Sequence, residues 1–269
     1  MSNIKGKTAL ITGAASGIGK LMGELLLQKG LSTLIAWDVN EKLLHEVSNE
    51  LAKKGFHVIP IVVDVMDTNA VIAAAGQAIK EAGRIDILIN NAGIVVGKAF
   101  AEHSHNDIDR TMSINSSALM HISKEILPSM IANGSGHIVN IASAAGLLGN
   151  PNMSVYAASK WAVIGWSESL RLEIKKTHPS IKITTVTPFY INTGMFDGVK
   201  SKLVPIVEPL VAAKKIIRGI ETDKRFVRMP AIVYTLPFIK GILPAAWFDV
   251  IVGKWMGIYK TMDEFRGRK

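Results

Sequence analysis

In the stretch SVYAASKWAVIGWSESL, residues 154–170, a tyrosine precedes a lysine by four places. On a helix that spacing puts Tyr156 and Lys160 on one face. A phenol ionises near pH 10, and bringing it to about 7 takes roughly 4 kcal/mol of differential stabilisation. An ammonium held nearby in a dry site can supply an effect of that size. Such a phenol can give a proton to a carbonyl oxygen as hydride arrives, or take one from an alcohol as hydride leaves. Most Tyr/Lys pairs at this spacing are solvated surface residues, so the rest of the chain must decide.

A second group of residues suits a phosphate. The segment TGAASGIGK, residues 12–20, follows an apolar run and precedes a helical pattern. Gly13, Gly17 and Gly19 allow a tight turn and close approach of backbone to a pyrophosphate, and the helix start offers N–H groups and its positive dipole end. Gly13, Ala15, Ser16, Gly17, Ile18 and Gly19 are therefore candidate dinucleotide contacts. Glycine triplets also occur in ordinary turns; the strand–loop–helix setting is what gives this one weight. The spacing is G-x-x-x-G-x-G rather than the commoner G-x-G-x-x-G. Asp38 stands about 20 residues beyond the glycines, where a carboxylate accepts from the adenosine ribose 2′-OH and repels a 2′-phosphate. No Lys or Arg occupies 14–16 or 37–40. This favours NAD(H) over NADP(H). Asp38 can also cap the following helix. Asp64 and Val65 are candidate adenine contacts, with a helix cap as the alternative role for Asp64.

The elements that must position these residues can be read from apolar periodicity. Buried-strand runs are predicted at 8–12, 32–37, 57–65, 85–91, 137–143 and 182–188. Helical patterns fall at 17–29, 40–54, 68–82, 105–132, 153–176 and 210–221. Strand–helix alternation implies right-handed crossovers and a parallel sheet covered on both faces. The expected fold is α/β: a doubly wound parallel sheet of Rossmann type with three αβα layers, in a single domain over 1–269. Residues 189–210, with Gly194, Gly198, Pro205 and Pro209, read as a loop or substrate lid. Pro230, Pro237 and Pro244 break an apolar, basic C-terminal extension over about 229–269 into short helical pieces.

The chain has 269 residues, 48% of them hydrophobic, which is enough for one substantial core. It has no cysteine, which removes disulfides, thiolate nucleophiles and cysteine-ligated zinc. The start lacks a signal-peptide pattern, and no uncharged apolar run is long enough to span a bilayer. A cytoplasmic location is expected. Net charge is +9. From Arg225 onward there are eight Lys/Arg against three Asp/Glu. No Arg-rich recognition helix or RNA-stacking module accompanies that charge, so nucleic acid is not the expected partner. His103 and His105 diverge on a helix and lack a nearby third ligand, so no metal is expected.

In its motifs the chain resembles the short-chain dehydrogenase/reductase family: TGAASGIG at 12–19, NNAG at 90–93, Asn115 in SINSSA, Ser143 in NIASAAG, and YAASK at 156–160, in the family's order over nearly 190 residues. Within it, LIAWDVN (34–40), HIVNIASAAGLLG (137–149) and PFYINTGMF (188–196) are similar to the branch of retinol dehydrogenases and lipid-droplet 17-beta-hydroxysteroid dehydrogenases. The resemblance implies that Tyr156 is the general acid/base and that Lys160 lowers its pKa and binds the nicotinamide ribose. It implies that Ser143 polarises the substrate oxygen and that Asn115 holds a water beside Lys160. Asn91, Ala92 and Gly93 would form the cofactor floor, and Pro188 through Ile191 to Thr193 would close on the nicotinamide amide. Taken singly, Ser143 could cap a turn, Asn115 could satisfy backbone in a helix kink, and Lys160 could be solvated. The chain departs from the branch in lacking an N-terminal hydrophobic anchor and in having Phe189 where many members have glycine.

The expected activity is hydride transfer between NAD(H) and a hydrophobic alcohol or carbonyl compound of retinoid, steroid or fatty-alcohol type. A 3-oxoacyl thioester reductase, or a non-catalytic nucleotide-binding protein of lipid surfaces, are the competing readings. Small residues Ala157, Ala158, Ala162 and Gly165 permit close helix approach, and the resemblance implies a homodimer or homotetramer pairing there. In residues 229–259, Trp247, Trp255, Phe238 and aliphatics lie beside Lys240, Lys254 and the adjoining Lys260. That pattern suits peripheral membrane contact, and equally a lid over an apolar substrate or a subunit interface.

Overall fold

The computed structural model describes residues 3–267. Seven strands form one sheet in the order β3-β2-β1-β4-β5-β6-β7, with every pairing parallel. They are β1 (Thr8–Thr12), β2 (Thr33–Asp38), β3 (Val58–Val62), β4 (Ile87–Asn90), β5 (Gly136–Ile141), β6 (Ile181–Pro188) and β7 (Phe226–Met229). Chain order reverses between β1 and β4, and there the loops leaving the strand ends diverge to leave a crevice.

Alternation along the strands builds two cores. Ala9, Ile11, Leu34, Ala36, Ile87 and Ile89 point to one face, packed under α1 (Gly17–Gln28), α2 (Glu41–Lys53) and, further along the sheet, α7 (Pro209–Glu221). Leu10, Ile35, Trp37 and Leu88 point to the other, under α3 (Thr68–Ala82) and α5 (Ala118–Ala132), with Leu170 and Ile174 of α6 (Ser154–Thr177) closing the same core. This is the period-2 consequence of the pleat, with both faces covered as a parallel sheet requires. Polar side chains also cross the second layer. Asn90 Nδ2 donates to Asn140 Oδ1 at 2.8 Å and to Ser123 Oγ at 3.0 Å, and Asn140 Nδ2 donates to Ser167 Oγ at 2.9 Å.

Three features differ from the sequence reading. β7, with sequence FVRM, is a strand the periodicity did not register, because two of its four residues are only half-buried and its length is minimal. The predicted helix over 105–132 is α4 (His105–Met112) and α5, joined by a π-helical turn at Ser113–Ser117. The turn widens the backbone at Asn115, a bulge that helical periodicity cannot register. Strand β3 stops at Val62, so Asp64 and Val65 lie in the loop beyond it.

The C-terminal extension contains α8 (Leu236–Ile242) and α9 (Ala245–Phe248), followed by a π-helical turn at Asp249–Trp255. Val233, Leu236, Phe248, Val252 and Ile258 of the extension pack with Ala144, Leu148 and Val204. It is thus a wall laid against the loop after β5.

His137, at the start of β5, is 1% exposed and shares a 2.8 Å hydrogen bond with Thr184. Burial lowers its pKa to about 4, against the pull of Asp223. The unfolded chain therefore takes up a proton near pH 6.5 that the folded chain refuses until about 4, and stability falls as pH drops through that window. We expect the free energy of unfolding obtained from urea titrations to fall between pH 6.5 and 4 by ~1–3 kcal/mol more in the wild type than in His137→Gln.

Candidate active site

The crevice is built from strand ends. Gly13 follows β1 with φ +65°, a left-handed conformation suited to glycine. A Cβ on Gly19 would overlap the Gly13 carbonyl oxygen and crowd Asn91 Nδ2, so the third glycine serves packing of α1 on the loop. Thr12 Oγ1 accepts from the amides of Asn91 and Ala92, both at 3.0 Å. Asn91 Nδ2 returns bonds to the carbonyls of Thr12 at 2.9 Å and Gly13 at 3.2 Å. The loops after β1 and β4 are thereby fixed to each other. The first turn of α1 contains no acidic residue, so its amide dipoles meet no competing carboxylate there.

Asp38 ends β2. Its Oδ2 accepts from the Ala15 amide and its Oδ1 from the Asn40 amide, both at 3.0 Å. The cap of α2 is Asn40, which accepts from Leu43, so the carboxylate ties strand end to glycine loop instead of capping the helix. Asp64 Oδ1 accepts from the Met66 amide at 2.9 Å, and the cap of α3 is Asp67. Asp38, Asp64, Val65, Trp37 and Ile114 line one compartment of the crevice, of about 660 Å³. Gly13, Ser16, Ala92, Gly93 and Ile94 are shared with a second compartment of about 780 Å³.

This second compartment gathers Gly17, Ile18, Asn91, Ser143, Tyr156, Lys160, Pro188, Ile191 and Thr193. Ala15, Gly19 and Asn115 stand behind the surface. Ser143 Oγ accepts from the Ala145 amide at 3.1 Å, so it does cap a short 3₁₀ turn; it donates to the Pro188 carbonyl at 3.4 Å and borders the same cleft as the Tyr156 phenol. Lys160 is 4% exposed, and its Nζ donates to the Ile141 carbonyl at 2.9 Å, so it is not a solvated lysine. Its Nζ lies 5.7 Å from the Tyr156 ring centroid. Asn115 is wholly buried. Its Oδ1 accepts from the Ile94 amide at 2.8 Å, and its Nδ2 donates to the Ile94 carbonyl at 2.9 Å and to Ser159 Oγ at 3.1 Å.

Burial raises the Tyr156 pKa above its ordinary value, and the Ser143 hydroxyl only partly opposes this. Burial also pushes Lys160 down to about 8. The protein's own groups therefore hold a protonated phenol and a lysine still mostly protonated at neutral pH.

The remaining wall is apolar. Ile94, Phe189, Met195 and Phe196 face the compartment, and Phe196 meets the Tyr156 ring edge-on at 6.0 Å between centroids. Sequence reasoning singled out Phe189 but missed Thr12, the anchor of both loops, and Ile94, Met195 and Phe196. Thr12 carried a signal, an interior threonine just before the glycines, but its partner lies 79 residues away. His103 lies 3.1 Å from the Ala99 carbonyl oxygen. Among the described residues no group of three or more His, Asp or Glu could hold a metal ion.

Comparisons with known proteins agree with this geometry. A family model described as short chain dehydrogenase matches residues 7–203. Epidermal retinol dehydrogenase 2 of Mus musculus is 37% identical, over 99% of this chain and 87% of its own length. Estradiol 17-beta-dehydrogenase 11 of Pongo abelii is 32% identical, over 94% of this chain and 84% of its own. The crystal structure of a short chain dehydrogenase/reductase from Burkholderia phymatum in complex with NAD superposes with a TM-score of 0.82, at 26% identity, covering 95% of this chain and 98% of that one.

Gly19→Ala should abolish nucleotide binding or the fold, since its Cβ has no room against Gly13. Gly76→Ala, where a Cβ meets nothing within 4 Å, should leave both unchanged. Nucleotide-induced thermal shift of the two variants checks this.

Proposed function

We propose that this chain, which belongs to the short-chain dehydrogenase family, interconverts an apolar alcohol and its carbonyl partner with a nicotinamide dinucleotide. The observation that carries the reading is the gathering of Ser143, Tyr156 and, one turn further along α6, the buried Lys160 around one apolar cleft beside a glycine loop.

The donor set fits a dinucleotide. The 13–19 loop and the start of α1 suit its pyrophosphate, Asp38 the adenosine ribose, Asp64 and Val65 the adenine, and Asn91–Gly93 with Pro188, Ile191 and Thr193 the nicotinamide end. When bound, the nicotinamide supplies or accepts the hydride. Tyr156 gives its proton to the carbonyl oxygen in reduction and takes one from the hydroxyl in oxidation. A phenol kept protonated by burial suits the first role. For the second, the neighbouring Lys160 charge favours the phenolate. Ser143 donates to the reacting oxygen and polarises it. Asn115 fixes the loop at Ile94 and, with a water, extends a proton path from Lys160.

The substrate reading is supported by the aromatic and aliphatic lining, and by relatives named for retinol and estradiol. The preference for NAD over NADP is carried by the Asp38 carboxylate and the uncharged loop around it. Subunit pairing through α6 is supported by its outward face, where Trp161, Gly165 and Leu172 are exposed and nothing approaches Gly165 within 4 Å. Peripheral membrane contact is supported by the extension. Phe238, Trp247 and Trp255 are 70%, 65% and 78% exposed, with Lys240, Lys254 and Lys260 on the same segment. Among the described residues no helix is long and apolar enough to cross a membrane. The enzyme is thus read as cytoplasmic, with its substrate drawn from a lipid surface past the 189–210 lid.

Tyr156→Phe should lower kcat on apolar alcohols by about 10²–10⁴ while NADH binds within about twofold of wild type; turnover that survives would remove the mechanism. Wild type should prefer NAD over NADP in kcat/KM, and Asp38→Asn should narrow the gap; unchanged selectivity in that variant would discard the role given to Asp38. Vesicles rich in anionic lipid should co-float the wild type and lose the Trp247→Asp/Trp255→Asp double variant; no flotation of wild type would end the membrane reading.

A further inference from the structure

Behind Ser143 lies a second, smaller cavity, of about 310 Å³, that the reaction as drawn does not use. Ala144, Ala145, Leu148, Met153, Tyr190 and Ile258 make most of its lining, which is largely apolar. Two residues line both this cavity and the catalytic cleft. One is Ser143, which the mechanism places at the reacting oxygen, and the other is Phe189. The Phe189 side chain packs with the cluster that holds Ala144, Leu148 and Ile258, and also with the cluster that holds Met153, Tyr156 and Tyr190. Its ring therefore stands where the two spaces meet.

The ring is braced. The Phe189 amide donates to the Met229 carbonyl at 2.7 Å, which fixes its backbone to the end of β7. Its ring meets that of Tyr190 at 4.5 Å between centroids, with the planes 65° apart. Tyr190 meets Phe196 in the same edge-on way at 5.0 Å. The Tyr190 hydroxyl is held in turn, by Asn150 Nδ2 at 3.0 Å and Thr261 Oγ1 at 2.9 Å. A side chain in a close-packed setting of this kind keeps to one rotamer, so Phe189 is a fixed partition and not a swinging lid. An alanine at 189 would remove the ring and leave the two spaces joined beside Ser143.

Resting on the oxidoreductase reading, we infer that Phe189 is a specificity-determining residue that makes the site one-sided. The carbon that exchanges hydride carries two substituents besides its oxygen and the transferred hydrogen. With the oxygen at Ser143 and Tyr156, the larger substituent lies along the wall of Ile94, Met195 and Phe196. The other points toward the inner cavity and stops at the Phe189 ring. The substrate class is an apolar carbonyl compound whose second substituent is small, hydrogen or methyl, together with the matching alcohol. Carbonyls flanked by two large groups are turned away by the ring, although the space behind it could take part of one.

The test uses two ketones that share a naphthyl group and differ only in the second substituent, methyl or pentyl. An open apolar site would prefer the pentyl compound. The full chain with NADH should instead favour the methyl compound by at least about tenfold in kcat/KM, the scale on which a pocket wall rejects added methylenes. Phe189→Ala should bring the two compounds to within about threefold of each other, or reverse the order. Adding Leu148→Phe to that variant refills the inner cavity and should restore the methyl preference, while Leu148→Phe alone should keep the wild-type ratio. Each readout is a ratio within one protein, so a general loss of activity does not enter it. Where Phe189→Ala does not fold, Phe189→Leu should move the ratio the same way by at least about threefold. Equal rates in the wild type, or an unchanged ratio in the folded Phe189 variant, would overturn the partition and leave the oxidoreductase reading standing. A double variant that behaves like Phe189→Ala, or a shifted ratio in Leu148→Phe alone, would overturn it too. If neither ketone turns over in the wild type, the catalytic reading fails instead. Calorimetric Kd values for the same pair then decide the partition: about a tenfold preference for the methyl compound, lost in Phe189→Ala, sustains it, and equal affinity or an unchanged preference rejects it.

Discussion

Asn115 is the point on which the arrangement of the site depends. Both polar atoms of its amide are spent on the backbone of Ile94, and the nitrogen also reaches Ser159. One buried side chain thus joins the loop after β4, the π-helical turn before α5 and the helix that carries Tyr156 and Lys160. The geometry requires the wider turn, because a regular helix would place the residue elsewhere along its face. Thr12 makes the corresponding joint between the loops after β1 and β4. Each joint satisfies backbone groups that would otherwise be buried without partners.

The two halves of the site differ in how far they are shut off from water. Around Asp38 and Asp64 the crevice is lined by carboxylates whose oxygens accept backbone amides. Around Tyr156 and Lys160 loss of water disfavours charge: the phenol's pKa rises and the ammonium's falls. A dry pocket with a neutral phenol and an apolar wall admits greasy molecules and strengthens any charge that forms during reaction. A smaller, mostly apolar cavity behind Ser143 extends that volume.

The C-terminal extension belongs to the site as well as to the surface. Its inner residues complete the packing around Leu148 and Val204, and Met262 packs with Tyr156, Tyr190 and Val199. Lys200 pairs with Glu264 and Arg266 with Asp197, so the chain's last described turn is stitched to the loop over the cleft. Its outer side keeps large aromatic residues in water. A segment built this way couples what touches the surface to what lines the pocket.

The fold was legible in the sequence because its evidence is local. Runs such as TALIT and HIVNIAS alternate with helical patterns at the lengths a doubly wound sheet needs, and the glycine loop falls where β1 meets α1. The candidate catalytic residues were picked out by motif, and the structure brings Ser143, Tyr156 and Lys160 to one cleft, with Asn115 buried behind it. Strand β7 was not legible, since four residues, two of them only half-buried, carry too little periodicity to stand out. Nor were the π-helical turn at Asn115 or the anchoring by Thr12. These depend on partners between 21 and 80 residues away. How burial bears on Tyr156 and Lys160 was not legible for the same reason: spacing puts an ammonium near a phenol, but only the packed structure sets how much water both have lost. Residue order determined which elements form and which side chains they carry; tertiary contact decided which polar atoms are satisfied, and desolvation, a property of the whole enclosure, decided their protonation.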